Sequence, residues 1–148
     1  VVFSKIIVGT DGSETATQAV RQAVELARLH NASLAIVSAY EPVPAHRLRE
    51  ERLQSPEDIQ WAIGPREEVE GTLEAAAELA KQAGVSHELH ARQGDAAAAI
   101  LDVAEEVGAD LIVVGNKGMT GARRFLLGSV PNRVSHHAPC SVLIVRTT

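Results

Sequence analysis

Aromatic residues are scarce in this chain: Phe, Tyr and Trp make up 3% of its 148 residues. Proteins that hold single-stranded nucleic acid by stacking bases need more rings than that. Cysteine is nearly absent too. Cys140 stands alone, so no disulfide closes within the chain, and a reducing compartment is the expected setting. No apolar run approaches the roughly 18 residues that span a bilayer, and the first residues lack a signal-peptide pattern. Positive charge is not in excess: the formal net charge is −5, which disfavours nucleic acid and anionic membranes as general partners. The expectation is a cytoplasmic protein with no membrane or nucleic-acid partner.

What is present reads as one domain spanning 1–148, long enough to bury a proper core. Lys5 to Thr10 is a short apolar run ending in Asp11-Gly12-Ser13, a strand followed by a turn. From Ser13 a helix is expected, because Ala16, Ala19, Val20, Ala23, Val24 and Ala27 recur at steps of three and four; Asn31 stops it. Ser33 to Tyr40 is a second strand. Glu41 to Arg66 then breaks the pattern with four prolines and clustered charges, including Arg47, Arg49 and Arg52, and reads as a variable flap carrying Trp61. Within it, Ser55-Pro56-Glu57-Asp58 signals a short helical piece that Gly64-Pro65 ends.

An Ala- and Glu-rich helix is expected from Glu67 to Ala83, closing at Gly84. Ser86 to Arg92 alternates as an edge strand with one wet face. Asp95 caps the next helix, which carries the stripe Ile100, Leu101, Val103, Ala104 and Val107. After the buried strand around Leu111 to Gly115 come a short helix from Ser129 to about His137 and a last strand from Ser141 to Arg146. Strands alternating with helices, the central strands continuously apolar, argue for an α/β fold with a doubly wound parallel sheet in three layers. Ligands in such folds sit beyond the carboxyl ends of the strands, where strand order reverses.

The chemistry concentrates between Asp110 and Val134. A buried strand stops at Gly115; Gly118 and Gly121 follow, and Gly128-Ser129-Val130-Pro131 opens a helix with Ser129 as its N-cap. Glycines admit positive φ and close approach. Successive N–H groups in a turn, together with a helix N-terminus, form an anion cradle. It is not of the Walker type, since G-x-x-x-x-G-K-[ST] does not occur.

Gly115-x-x-Gly118, nine residues, then Gly128-Ser129, resembles the signature G-x2-G-x9-G-[ST] of the universal stress protein family. Ile7 to Ser13 (IVGTDGS), Gly94-Asp95 and Pro139 to Val145 (PCSVLIV) are similar to that family as well, so the likeness covers nearly everything outside the flap. It implies a five-stranded sheet in the order 3-2-1-4-5 that binds ATP at the switch point, with Mg²⁺ held through the phosphates. The triphosphate would rest on Gly115, Gly118, Gly128, Ser129 and Val130, and the ribose on Asp11. The adenine would lie near Thr10 and Ala39, with Gly9 and Val114 among the nucleotide-binding positions. The likeness also implies a homodimer paired through 141–146. Asn116 and Lys117 fill the first glycine pair, where Lys117 either adds charge to the phosphates or points to water. Arg123 and Arg124 stand further along the loop, and Ala39 is small for its position.

Duller readings compete with several of these. Asp11 also suits a plain Asp-Gly turn. His136 and His137 point apart on a helix, and His87 and His90 fall on opposite faces of a strand, so no metal site is expected. Cys140 reads as a buried thiol without a local base, hence not a nucleophile. No acid or histidine stands where a γ-phosphate would need a general base, so nucleotide binding without efficient turnover is expected. A slow ATPase or nucleotide-transferring enzyme, a binder of AMP or cyclic AMP, a structural dimer with an empty cradle and a flavodoxin-like flavin carrier are the alternatives.

Overall fold

The computed structural model describes residues 2–40, 65–116 and 129–147. Nine elements follow in order: β1 (Lys5–Gly9), α1 (Glu14–His30), β2 (Ser33–Tyr40), α2 (Pro65–Gln82), β3 (His87–Gln93), α3 (Ala96–Val107), β4 (Leu111–Gly115), α4 (Ser129–His137) and β5 (Ser141–Val145). The five strands make one parallel sheet in the order β3-β2-β1-β4-β5. Both the doubly wound α/β class and the order 3-2-1-4-5 are as expected.

Strand residues alternate between two cores, because successive side chains leave opposite faces of a sheet. Ile6, Val8, Leu34, Ile36, Leu111 and Val113 face α1 and α2. Ile7, Ala35, Val37, Ile112 and Val114 face α3 and α4. The central strands are thus covered on both sides, which is why they read as continuous apolar runs. Ile6, Ile7, Ile36 and Ile112 are each 1% exposed or less. Burial on that scale contributes about 1.5–3 kcal/mol per side chain.

The helix ends are set by the residues the sequence singled out. Ser13 Oγ accepts from Ala16 N at 3.2 Å and caps α1, and Asn31 closes it in the left-handed region at φ 53°. Asp95 caps α3, accepting from Ala98 N at 3.0 Å, and Gly108 closes it at φ 66°. Among the described residues no helix is long and apolar enough to cross a membrane.

Four expectations need correction. α2 begins at Pro65 rather than at Glu67. Proline lacks the N–H that the first helical turn leaves unpaired, so Pro65 suits the start of this helix; the short piece expected to end at Gly64-Pro65 lies outside the described residues. The rest of the flap, Trp61 included, lies outside the described residues. α4 already includes Ser129, so Ser129 is its first helical residue rather than the flanking cap. β3 shows no clean wet face: Glu88 and Leu89, on opposite faces, are both exposed, since an edge strand is incompletely covered on either side. β5 ends at Val145, one residue short of Arg146.

The two edges of the sheet differ in chemistry. On β3, Arg92 forms a bidentate pair with Glu106 of α3 (Nη1–Oε1 2.9 Å, Nη2–Oε2 2.5 Å), and its Nη2 also donates to His90 Nδ1 at 3.2 Å. β5 reads Ser-Val-Leu-Ile-Val, carries no charge, and leaves Leu143 39% exposed.

Candidate functional site

β1 and β4 pair in parallel from Ile6↔Leu111 to Val8↔Val113, so their carboxyl ends, Gly9 and Gly115, emerge side by side. The first crossover leaves β1 toward β2, while β4 lies on the other flank of β1. Strand order therefore reverses here, the place where such sheets open a ligand crevice.

On the β1 side, Thr10 continues the sheet by donating its N–H to Val37 O at 2.9 Å, and its side chain is 2% exposed. Its Oγ1 accepts from Gly12 N at 3.1 Å. Asp11 is exposed at the rim, and its Oδ1 accepts from Ser13 N at 2.9 Å. The turn-forming role of Asp11 is therefore realised, and it holds the carboxylate at the mouth of the crevice. Gly12 sits at φ +82°, a conformation that only glycine adopts cheaply.

On the β4 side, Gly115 and Asn116 mark the strand end, and Asn116 N donates to Val145 O at 2.9 Å. Val114 is 3% exposed and packs in the core under α3 and α4, so only its backbone is available to a ligand. Gly9 is buried and likewise offers backbone alone. Ser129 is exposed at the start of α4, whereas Val130 is 8% exposed and turned into the core. What Val130 can present is its N–H, one of the donors a helix leaves unpaired in its first turn. Lys117, Gly118 and Gly128 lie outside the described residues, as do Arg123 and Arg124.

An exposed ion pair links α4 to α3. Asp95, besides capping α3, accepts from Arg133 Nη1 of α4 at 2.5 Å. One carboxylate thus starts one helix and holds the neighbouring one.

A cleft of about 230 Å³ opens beside Asp11, lined also by Ser38, Ala39, Tyr40, Glu68 and Thr72. Of these the sequence pointed to Asp11 and Ala39 only. Tyr40 and Ser38 adjoin Ala39 on β2, so the end of that strand was the available signal. Glu68 and Thr72 come from α2 by long-range packing and had none. Tyr40 OH accepts from Arg66 Nη1 at 3.3 Å, which ties the start of α2 to the end of β2.

The remaining reactive residues stay apart. His136 and His137 are exposed on α4. His87 turns its Nδ1 to Val85 O at 3.1 Å. Cys140 is half-buried just before β5, and burial, then the nearby Asp110 charge, push its thiol pKa up, which suits a packing role.

Comparison with known proteins agrees with this geometry. A sequence model of the universal stress protein family matches residues 3–146. The universal stress protein YxiE of Bacillus subtilis is 37% identical over 148 residues, covering 98% of this chain and all of that one. A crystal structure of a universal stress protein in complex with cAMP superimposes with a TM-score of 0.74 at 34% identity, with both chains fully covered. The universal stress protein from Archaeoglobus fulgidus in complex with dAMP gives 0.68 at 27% identity, covering 99% of this chain and 100% of that one. With its sequence and its fold in agreement over nearly the whole length, the chain belongs to the universal stress protein family.

Proposed function

We propose that this protein binds an adenine nucleotide, ATP foremost, in the crevice at the carboxyl ends of β1 and β4, and that occupancy serves as a regulatory state in a stress response. The observation that carries the reading is the adjacency of Asp11 and Gly115 at the reversal of strand order, with the first residues of α4 following the same loop. In this reading the phosphates rest on backbone N–H groups of Gly115, Ser129 and Val130 and on the Ser129 hydroxyl. Lys117, Gly118 and Gly128 complete the cradle, as the family signature implies. Mg²⁺ is held through the phosphates. Asp11 takes the ribose hydroxyls, the adenine lies near Thr10 and Ala39, and Gly9 and Val114 are among the nucleotide-binding positions.

The protein acts as a homodimer paired through 141–146, in the cytoplasm. An apolar, uncharged edge strand such as β5 is open to pairing with a second copy. Binding proceeds without efficient turnover, because Asp11 stands at the ribose end and neither an acid nor a histidine is assigned to the γ-phosphate. A monophosphate ligand is the second reading. The relatives solved with cAMP and dAMP favour it, and such a ligand would use only part of the cradle.

Calorimetric titration of stripped protein with ATP·Mg²⁺, AMP and cyclic AMP tests this directly, with Gly128→Ala and Ser129→Ala as controls. Micromolar-class binding that both substitutions weaken is expected. The order of affinities decides between triphosphate and monophosphate, and absence of heat for all three ligands at two temperatures overturns the reading.

A further inference from the structure

Two residues past β5, Thr147 still contacts the end of β4. Thr147 is 9% exposed and folds back over the end of β4. Asn116 Oδ1 accepts from Thr147 N at 2.9 Å and from Thr147 Oγ1 at 3.0 Å. A backbone N–H can only donate, so the side-chain atom of Asn116 that faces it is the oxygen, and the orientation of the amide is fixed. Asn116 N meanwhile donates to Val145 O at 2.9 Å, adding one rung beyond the Gly115↔Val145 pair. Asn116 therefore grips the end of β5 with both its backbone and its side chain.

The grip reaches the crevice. A Cβ placed on Gly115 would stand 3.6 Å from Thr147 Cγ2 and 3.9 Å from the carbonyl oxygen of Thr15. Thr147 and the first turn of α1 thus border the space beside Gly115, the first residue of the candidate phosphate site. The end of the edge strand and the candidate phosphate site meet at one place, where the Asn116–Thr147 hydrogen bonds lie beside Gly115.

We propose that Asn116 is a positioning residue that couples occupancy of the crevice to pairing along β5, so that nucleotide and a second copy of this chain bind cooperatively. This rests on the nucleotide and dimer readings above. A ligand held against Gly115 favours the conformation in which Asn116 and Thr147 are engaged. That conformation keeps the end of β5 in register and extends the edge that a second copy meets. A ligand shifts an equilibrium only through such a differential preference, and the coupling is reciprocal.

The test is sedimentation equilibrium of the full chain, with and without saturating ATP·Mg²⁺, for wild type, Asn116→Ala, Asn116→Asp and Thr147→Val. In wild type, nucleotide is expected to tighten the dimer by about fivefold or more, the lower end of typical couplings. Asn116→Ala is expected to bring that ratio to about one. Asn116→Asp retains an acceptor for both Thr147 donors and keeps the ratio, although its charge weakens anion affinity. Thr147→Val loses the hydroxyl alone and reduces the ratio, which keeps the test available should Asn116→Ala fold poorly. A wild-type protein that binds nucleotide and dimerises with the same dissociation constant in both conditions overturns the coupling and leaves the proposed function standing. An unchanged ratio in a folded Asn116→Ala overturns the role of Asn116. Failure of wild type to bind any nucleotide, or to dimerise, overturns the proposed function and this inference together.

Discussion

Gly12 and Thr72 meet across the gap between the β1–α1 turn and α2: a Cβ on Gly12 would stand 2.8 Å from Thr72 Oγ1. The turn that carries Asp11 is therefore pressed against a helix that arrives some sixty residues later in the chain. Gly12→Ala meets two separate obstacles. The left-handed backbone costs about 1–2 kcal/mol for an L side chain, and crowding Thr72 adds ~1 kcal/mol or more. Adding Thr72→Ala is expected to recover only the second part. Urea midpoints of the single and double variants measure the division.

Asp95 joins α3 to α4, and its two tasks separate by mutation. Asp95→Ala is expected to cost about 0.5–2 kcal/mol through the lost cap. Arg133→Met removes only an exposed ion pair, worth about 0.2–1 kcal/mol. Asp95→Asn keeps the cap and drops the charge, so its stability is expected to match that of Arg133→Met. Equal losses in Asp95→Ala and Arg133→Met would show that the cap is energetically silent.

Asp110 gives the fold an acid limit. Burial alone would raise its pKa, but Ser4 N at 2.8 Å, Ser4 Oγ at 2.9 Å and Lys5 N at 3.1 Å all donate to its carboxylate, and the net pKa is lowered. A carboxyl whose folded pKa lies below its unfolded one adds stability at pH above the unfolded value. That contribution is lost as pH falls through the folded value. Urea midpoints of wild type are therefore expected to drop below about pH 4. Asp110→Asn should be less stable at neutral pH and show a shallower acid slope. Parallel pH profiles for the two proteins would contradict the assignment.

Leu143 and Leu89 are exposed almost equally, at 39% and 40%, on opposite edges of the sheet. Leu143→Lys is expected to shift the protein toward monomer in sedimentation velocity, because it places a charge in the apolar β5 edge. Leu89→Lys, on an edge that already carries Glu88, His90 and Arg92, is expected to leave assembly unchanged. Monomer from both variants, or from neither, would remove β5 as the pairing strand.

Most of this architecture was legible because the strands announce themselves. The runs around Ile6, Ile36 and Ile112 are apolar on consecutive positions, as two-sided burial requires, and Ser13, Asn31 and Asp95 cap the helices that their side-chain chemistry suits. Strand order is another matter. Nothing in the pattern alone sets β4 beside β1; that came from the family likeness around Gly115 and Gly128. Asp11 and Gly115 stood out as candidates because each closes an apolar strand, whereas Ala39 was named only through the family likeness. Glu68 and Thr72 were not, since their place beside Asp11 depends on how α2 docks. The start of α2 was placed two residues late because Gly-Pro serves equally well before a helix and after one.

The guanidinium of Arg92 has no lone pair to offer, so the His90 nitrogen facing it must be the acceptor. On that flank the charged groups are already committed to α3 and to one another. An incoming strand would have to strip water from charges that gain nothing in return. The two margins of the sheet therefore differ, β5 apolar and uncharged, β3 charged. If β5 is the pairing margin, as proposed, a sheet with one such margin forms pairs and stops rather than growing into a fibre. In the proposed dimer, polarity at β3 would set the size limit of the assembly that β5 begins.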